Sequence, residues 1–119
     1  MLTGNIEQAA YLKVEITGLA EFFTLPGAFG DESFDRRDLP ALAVKRINQK
    51  LGANLLPEQF IVIGDTPNDV ACARHFGTRV VGVGTGRIHS IDELRECKPD
   101  ALLPDLLDID LFIRTLDSL

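Results

Sequence analysis

A short apolar run at residues 60–63, Phe-Ile-Val-Ile, continues directly into Gly-Asp-Thr-Pro-Asn-Asp at residues 64–69. A continuous β-branched and aromatic run is typical of a strand that is buried on both faces of a parallel sheet. A helix is predicted to follow at residues 68–76. In open parallel sheets, ligands bind at the carboxyl ends of the strands, which is where Asp65 is expected to lie. This segment therefore predicts an α/β fold with a functional site just after the strand.

The same alternation of strand and helix extends along the chain. Short apolar strands that alternate with amphipathic helices favour a doubly wound parallel sheet with helices on both faces. The 119 residues suffice for one domain with one core, so we expect a single domain over residues 1–119. Helices are predicted at residues 5–17 with a cap from Thr3 or Asn5, at 39–51, at 68–76, at 91–98 and at 106–116. Strands are predicted at 1–2, 60–63, 80–83 and 101–103, and residues 28–30 form a short apolar stretch.

Composition excludes several classes of function. The formal net charge of -6 argues against a nucleic-acid partner, because an acidic chain gains nothing from counterion release. No apolar run approaches the ~20 residues of a membrane span. The chain shows no basic stretch followed by an apolar segment, so we expect a cytoplasmic protein without a signal peptide. Cys72 and Cys97 lack metal-type spacing and are predicted to be free thiols.

The two carboxylates of the 64–69 segment form a candidate metal site. Asp65 is expected at the end of the strand and Asp69 in the first turn of the next helix, so both can face one small volume. Repulsion between close carboxylates is relieved by a hard divalent cation, and Mg²⁺ takes one or two protein carboxylates together with waters and phosphate oxygens. The alternative is that Asp69 stabilises the helix N-terminus while Asp65 is a turn residue.

Two further segments point to an anion. Thr3-Gly4-Asn5 lies at a predicted strand-to-helix junction, where a hydroxyl and free backbone N–H groups can bind an anion. Arg36 and Arg37 lie in a polar loop and could balance phosphate charge. The alternatives are a plain helix cap and a solvated pair of surface arginines.

Taken in order, Thr-Gly-Asn at residues 3–5, a basic residue at 36 and Gly-Asp-Thr-Pro-Asn-Asp at 64–69 resemble the motifs of the haloacid dehalogenase (HAD) superfamily. The resemblance is strongest to its phosphoglycolate phosphatase-like branch and covers nearly the whole chain. It implies a HAD-like Rossmannoid core and a Mg²⁺-dependent phosphatase that acts on a small phosphorylated metabolite.

The resemblance also implies roles for individual residues. Thr3 matches the hydroxyl that hydrogen-bonds the transferring phosphoryl group, and Gly4 and Asn5 would add backbone contacts to it. Arg36 matches the third-motif basic residue that neutralises phosphate charge, although that position is more often Lys, and Arg37 remains a rival.

The fourth motif of the family supplies the metal site. Asp65 matches its metal-binding acid, and Asp69 matches the acid that supports the metal or its waters.

The first motif of the family is missing from this sequence. HAD enzymes carry a D-x-D-G-T motif whose first Asp attacks phosphorus and whose second is the general acid and base. The only D-x-D is Asp108-Ile109-Asp110, followed by Leu-Phe and read as solvated helix acids. We therefore expect a partial core domain that is truncated at its N-terminal side, lacks the central nucleophile strand and the cap, and is inactive alone. Two exposed strand edges would favour self-association.

Other readings of the chain are weaker. One is a non-catalytic, degenerate domain that binds a partner chain, phosphate or metal. Another is a response-regulator-like domain with Asp65 as acceptor, but no suitable lysine follows. The glycines at residues 82–86 lack the spacing of a dinucleotide loop. His75 and His89 are predicted to be packing or surface residues.

Overall fold

A computed structural model describes all 119 residues, which form two compact units, residues 1–56 and residues 57–119. The single domain expected over residues 1–119 therefore stays a prediction, and each unit is described by itself. No helix is both long and apolar enough to cross a membrane. The main elements are α1 (Glu7–Ile16), α2 (Leu39–Leu51), β1 (Ile61–Gly64), α3 (Pro67–Phe76), β2 (Arg79–Val83), α4 (Ile91–Glu96), β3 (Ala101–Leu103) and α5 (Ile109–Asp117).

The first unit holds a strand-like turn and two helices. Leu2, where the end of a strand was predicted, forms a single parallel bridge with Ala28 in the short apolar stretch. Helix α2 ends at Leu51, as predicted, and Gly52 caps it in the left-handed conformation (φ 61°). The predicted cap of α1 is wrong: Ile6 occupies the N-cap position and its side chain caps nothing. Thr3 cannot cap the helix because Asn5 already donates to its hydroxyl.

The loop before α2 is fastened by an ion pair. The Glu32 carboxylate accepts hydrogen bonds from the Arg46 guanidinium and, at 2.9 Å, from the backbone N–H of Phe29. Arg46 also donates to the carbonyl of Gly27 at 2.8 Å. These bonds hold the segment that pairs with Leu2 against the core of the unit, which consists of Ala28, Leu39 and Ala43 with Leu2 and Leu42 packed against it.

The second unit is a parallel three-stranded sheet in the order β1-β2-β3. Along β2, Val80 packs on one face with Val70 and Ala73 of α3. Val81 lies on the other face, where Phe112 and Leu116 of α5 pack. Helices thus cover both faces of a parallel sheet, which confirms the doubly wound α/β fold.

Two sequence predictions about this unit are corrected. The run at 60–63 was predicted to be buried on both faces, but β1 is an edge strand and Ile63 is 46% exposed. An apolar sequence shows that the strand favours burial. Whether its side chains are buried depends on which strands and helices pack beside it. The closing helix begins at Ile109 rather than near residue 106, because Asp108 caps it by accepting from the Leu111 N–H at 2.8 Å.

Candidate functional site

The turn at residues 3–5 is ordered by its own side chains. The hydroxyl of Thr3 accepts hydrogen bonds from the backbone N–H of Asn5 at 3.1 Å and from the Asn5 side-chain amide at 2.9 Å. The amide oxygen of Asn5 accepts from the ammonium of Lys13 at 3.1 Å. The backbone N–H of Gly30 donates to the Asn5 carbonyl at 2.8 Å. The turn is therefore held in one geometry before any ligand binds.

Arg36 is the basic residue that reaches this turn. A Cβ added to Gly4 would lie 2.7 Å from Cζ of Arg36, so the guanidinium packs directly on that glycine. Arg37 is instead engaged by Asp35, which accepts from its Nε and Nη2 at 2.7–3.0 Å. Of the two rival arginines, the structure places Arg36 beside the 3–5 turn. Its role toward phosphate stays a prediction.

The second group of predicted residues lies at the carboxyl end of β1. Asp69 occupies the third position of α3, and its carboxylate accepts from the backbone N–H of Thr66 at 2.9 Å and from its hydroxyl at 2.8 Å. In return, Thr66 accepts from the Asp69 backbone N–H, which completes a capping box. Asp69 thus performs the helix-stabilising role that the sequence had left as its alternative. Gly64 permits this close approach, because a Cβ there would lie 2.4 Å from Asp69.

Asp65 lies exposed at the end of β1 and lines a cavity of about 380 Å³. The opposite wall is the loop between β2 and α4, and a Cβ on Gly86 would lie 3.1 Å from Oδ2 of Asp65. Gly86, the last of the glycines at 82–86, therefore lets this loop approach the carboxylate. The complete lining is Asp65, Thr66, Thr85, Gly86, Arg87, Ile88 and His89.

Sequence analysis did not identify the polar residues of this loop as site residues. Thr85, Arg87 and His89 line the cavity, and the Nδ1 of His89 lies 3.8 Å from the Glu93 carboxylate. A usable signal was present, because the loop follows the strand that was expected next to β1. The carboxyl ends of neighbouring parallel strands meet at one edge of a sheet.

The structure thus brings the predicted residues together in two groups, one in each unit. Thr3, Gly4, Asn5 and Arg36 form the first. In the second, Asp65 lines the cavity, whereas Asp69 is bonded to Thr66 and is not among the lining residues. No three or more His, Cys, Asp or Glu side chains gather as potential metal ligands. Two carboxylates nevertheless fit the small protein ligand set that Mg²⁺ usually takes.

The sequence matches the HAD-hydrolase-like family over residues 36–109, which is more than half of the chain. The chain therefore belongs to this family of hydrolases. The fold described above agrees with that assignment, as does the Gly-Asp-Thr-Pro-Asn-Asp segment at residues 64–69.

Two curated relatives are named phosphoglycolate phosphatase. The protein from Chromobacterium violaceum is 33% identical over 86 residues, which make up 72% of this chain and 37% of that protein. The protein from Nitrosococcus oceani is 25% identical over 108 residues, or 91% of this chain and 46% of that protein. The chain thus spans less than half the length of the curated relatives it matches.

Solved structures show the same fold. A haloacid dehalogenase-like protein of unknown function from Agrobacterium tumefaciens matches with a TM-score of 0.73 at 17% identity, covering 96% of this chain and 52% of that one. A predicted phosphoglycolate phosphatase from Haemophilus somnus matches with a TM-score of 0.63 at 25% identity, covering 87% and 44%.

Proposed function

We propose that this chain contributes the phosphate-binding and Mg²⁺-binding motifs of a phosphatase that hydrolyses a small phosphate monoester. Phosphoglycolate is the first substrate to test, because both curated relatives carry that name. The observation that carries the proposal is the packing of the Arg36 guanidinium on Gly4, the residue that follows Thr3. The first unit thus contains a cation (Arg36), a hydroxyl (Thr3) and the start of a helix (α1).

Each group on the phosphate side has a distinct part. The Arg36 guanidinium presents a planar array of donors that suits phosphate oxygens and does not deprotonate near neutral pH. The Thr3 hydroxyl donates one directed hydrogen bond. The start of α1, at Glu7, would add the positive end of the helix dipole. Together these groups bind and orient the phosphoryl group.

On the metal side, Asp65 is the proposed direct ligand. Its carboxylate is exposed to the cavity, whereas one oxygen of Asp69 is already bonded to Thr66. Asp69 would therefore act through its other oxygen or through a metal-bound water. Bound Mg²⁺ would supply neutralisation of the negative charge on the phosphoryl oxygens.

The nucleophile is not among these 119 residues. The only D-x-D stands at the start of α5, and Asp108 is engaged as the cap of that helix. Covalent transfer through an aspartyl-phosphate requires a positioned carboxylate, and charge neutralisation alone does not replace it. We therefore expect the chain to bind phosphate and Mg²⁺ and to show no turnover of p-nitrophenyl phosphate or phosphoglycolate by itself.

The test is a pair of titrations followed by nuclear magnetic resonance of the amide groups. Inorganic phosphate should shift the Gly4 and Asn5 amides, and Mn²⁺, as a paramagnetic substitute for Mg²⁺, should broaden signals around Asp65. Asp65→Asn should abolish the local broadening. Asp117→Asn, at the exposed end of α5 in the same unit, is the matched control and should leave it unchanged.

The outcomes separate the proposal from its rivals. Absence of both responses, with the chain folded, contradicts the proposal. Binding of phosphate and metal by the native protein in its source cell, without hydrolysis of any phosphate ester, would favour the non-catalytic alternative. Turnover by the 119-residue chain would show that the expected inactivity is wrong.

A further inference from the structure

The hydrogen bonds around Thr3 fix the direction in which its hydroxyl can donate. A hydroxyl has one O–H donor and two acceptor lone pairs. Asn5 supplies two N–H donors to the Thr3 oxygen, one from its backbone and one from its side-chain amide. With both lone pairs occupied, the O–H proton is left for a third partner. The arrangement makes Thr3 a donor toward whatever binds at the turn.

This result depends on the orientation of the Asn5 amide. Its nitrogen can donate to Thr3, whereas its oxygen would only accept. If the amide were reversed, the Thr3 hydroxyl would donate to Asn5, and its proton would no longer be available to a ligand. The two orientations have almost the same shape, so a neighbouring group must decide between them.

Lys13 is that neighbouring group. Its ammonium lies 3.1 Å from the Asn5 amide oxygen, and an ammonium can only donate. A reversed amide would bring N–H groups against the ammonium, which would leave two donors facing each other. One charge on the helix thus selects the orientation of the amide eight residues earlier.

We propose that Lys13 is a positioning residue: through Asn5, it keeps the Thr3 hydroxyl oriented to donate to a bound phosphoryl group. This inference rests on the proposed phosphate site at the same turn. It assigns to Lys13 an effect that passes through the Asn5 amide, which differs from a general attraction between its charge and an anion. The two can be distinguished by removing Asn5.

The experiment compares Lys13→Met, Lys13→Arg and a control, Lys45→Met, on the exposed surface of α2 in the same unit. The affinity for inorganic phosphate is measured from the Gly4 and Asn5 amide shifts. Lys13→Met should weaken phosphate binding about threefold to tenfold, as expected for loss of one charge-assisted hydrogen bond. Lys13→Arg, which can still donate to the amide oxygen, should retain most of the affinity, and Lys45→Met should retain all of it.

A double-mutant comparison then tests the route of the effect. In an Asn5→Ala background, Lys13→Met should cause no further loss of phosphate affinity. An equal loss in both backgrounds would mean that Lys13 acts directly through its charge, and the proposal would be overturned. So would a Lys13→Met variant that matches the Lys45→Met control.

The side-chain amide of Asn5 gives a readout that needs no phosphate. Its two N–H signals should be distinct in the wild-type chain, and Lys13→Met should bring both toward the positions of a solvated asparagine. If the wild-type chain binds no phosphate, the proposed function fails while these signals still decide the orientation. If they are unchanged in Lys13→Met, Lys13 does not position the amide.

Discussion

Arg36 and Gly4 are in direct contact: a Cβ on the glycine would lie 2.7 Å from the centre of the guanidinium. Any side chain at residue 4 would therefore displace the Arg36 guanidinium, which is the cation of the proposed phosphate site. The contact also separates Arg36 from Arg37, whose guanidinium is bonded to Asp35. The position of one arginine is thus set by the absence of a side chain 32 residues earlier in the chain.

The first prediction follows from this contact. Gly4→Ala should move the Arg36 guanidinium and lower phosphate affinity about tenfold, the equivalent of about 1.4 kcal/mol. Gly52→Ala is the control, because Gly52 has a left-handed φ of 61° with open space around it. It should cost stability, about 1 kcal/mol, and leave phosphate affinity unchanged. Phosphate titration and urea unfolding of both variants measure the two quantities. Equal phosphate affinity in both would contradict the prediction.

Substitution of Asp65 and substitution of Asp69 should change the free energy of unfolding by different amounts. Asp69→Ala removes the acceptor of the Thr66 N–H and hydroxyl, so the free energy of unfolding should fall by about 1 kcal/mol. Asp65→Ala removes an exposed carboxylate, so stability should change by less than about 0.5 kcal/mol. Metal affinity should fall in both. Urea unfolding and a Mg²⁺ titration test this pair, and an Asp65→Ala variant as unstable as Asp69→Ala would refute the assignment.

The Glu32–Arg46 pair predicts loss of stability in acid. The hydrogen bond from Arg46 lowers the pKa of Glu32, partial burial opposes the shift, and the Phe29 N–H lowers the pKa further. Because the folded pKa lies below the unfolded value of about 4.3, this stabilisation is present above that pH. It is lost as the pH falls through the folded pKa.

Glu32→Gln tests this linkage. The variant should lose about 1 kcal/mol at pH 7, allowing for solvent screening of a partly exposed pair, and should show a weaker pH dependence below pH ~4.5. Glu15→Gln, an exposed substitution on α1, is the control. Urea unfolding between pH 3 and pH 7 gives both profiles. Parallel profiles for wild type and Glu32→Gln would mean that the pair contributes no acid sensitivity.

The open edge of β1 predicts self-association. β1 pairs with β2 along one edge only, and Ile63 at its end is 46% exposed. An unpaired apolar edge can pair with a second chain. Sedimentation velocity should therefore show association that increases with concentration, and Ile63→Lys should reduce it. Ile113→Lys on α5, where the side chain is 49% exposed, is the matched control. An equal reduction by Ile113→Lys would place the contact on α5 instead.

Much of the fold was predictable because its signals are local. Helix α4 begins at Ile91 as expected, because Ser90 and Glu93 form a capping box, and α2 ends at Leu51 with Gly52 as its C-cap. Both depend on residues within one helical turn, where side-chain and backbone groups meet whatever the rest of the chain does. The parallel sheet was predictable for a related reason, since apolar strands separated by helices leave few other arrangements.

The site was only partly predictable, because only some of its features depend on residues that are close in sequence. Asp65 could be placed at a strand end from its immediate neighbours. The sequence left open whether Asp69 would cap its helix and could not identify Arg87 as a cavity residue, because these outcomes depend on which side chains approach from elsewhere. The sequence excluded a dinucleotide loop at residues 82–86, but it did not show that Gly86 lies against Asp65.

The sequence by itself determined the order of strands and helices, the end of α2 and the candidate residues, since these follow from side-chain chemistry over a few neighbouring positions. Tertiary structure decided that Ile63 at the end of β1 is exposed, that Arg36 rather than Arg37 packs on Gly4, and that Lys13 meets the Asn5 amide. These relationships join groups that are distant along the chain or that depend on how an element is oriented. Packing fixes such distances and directions, and no local pattern encodes them.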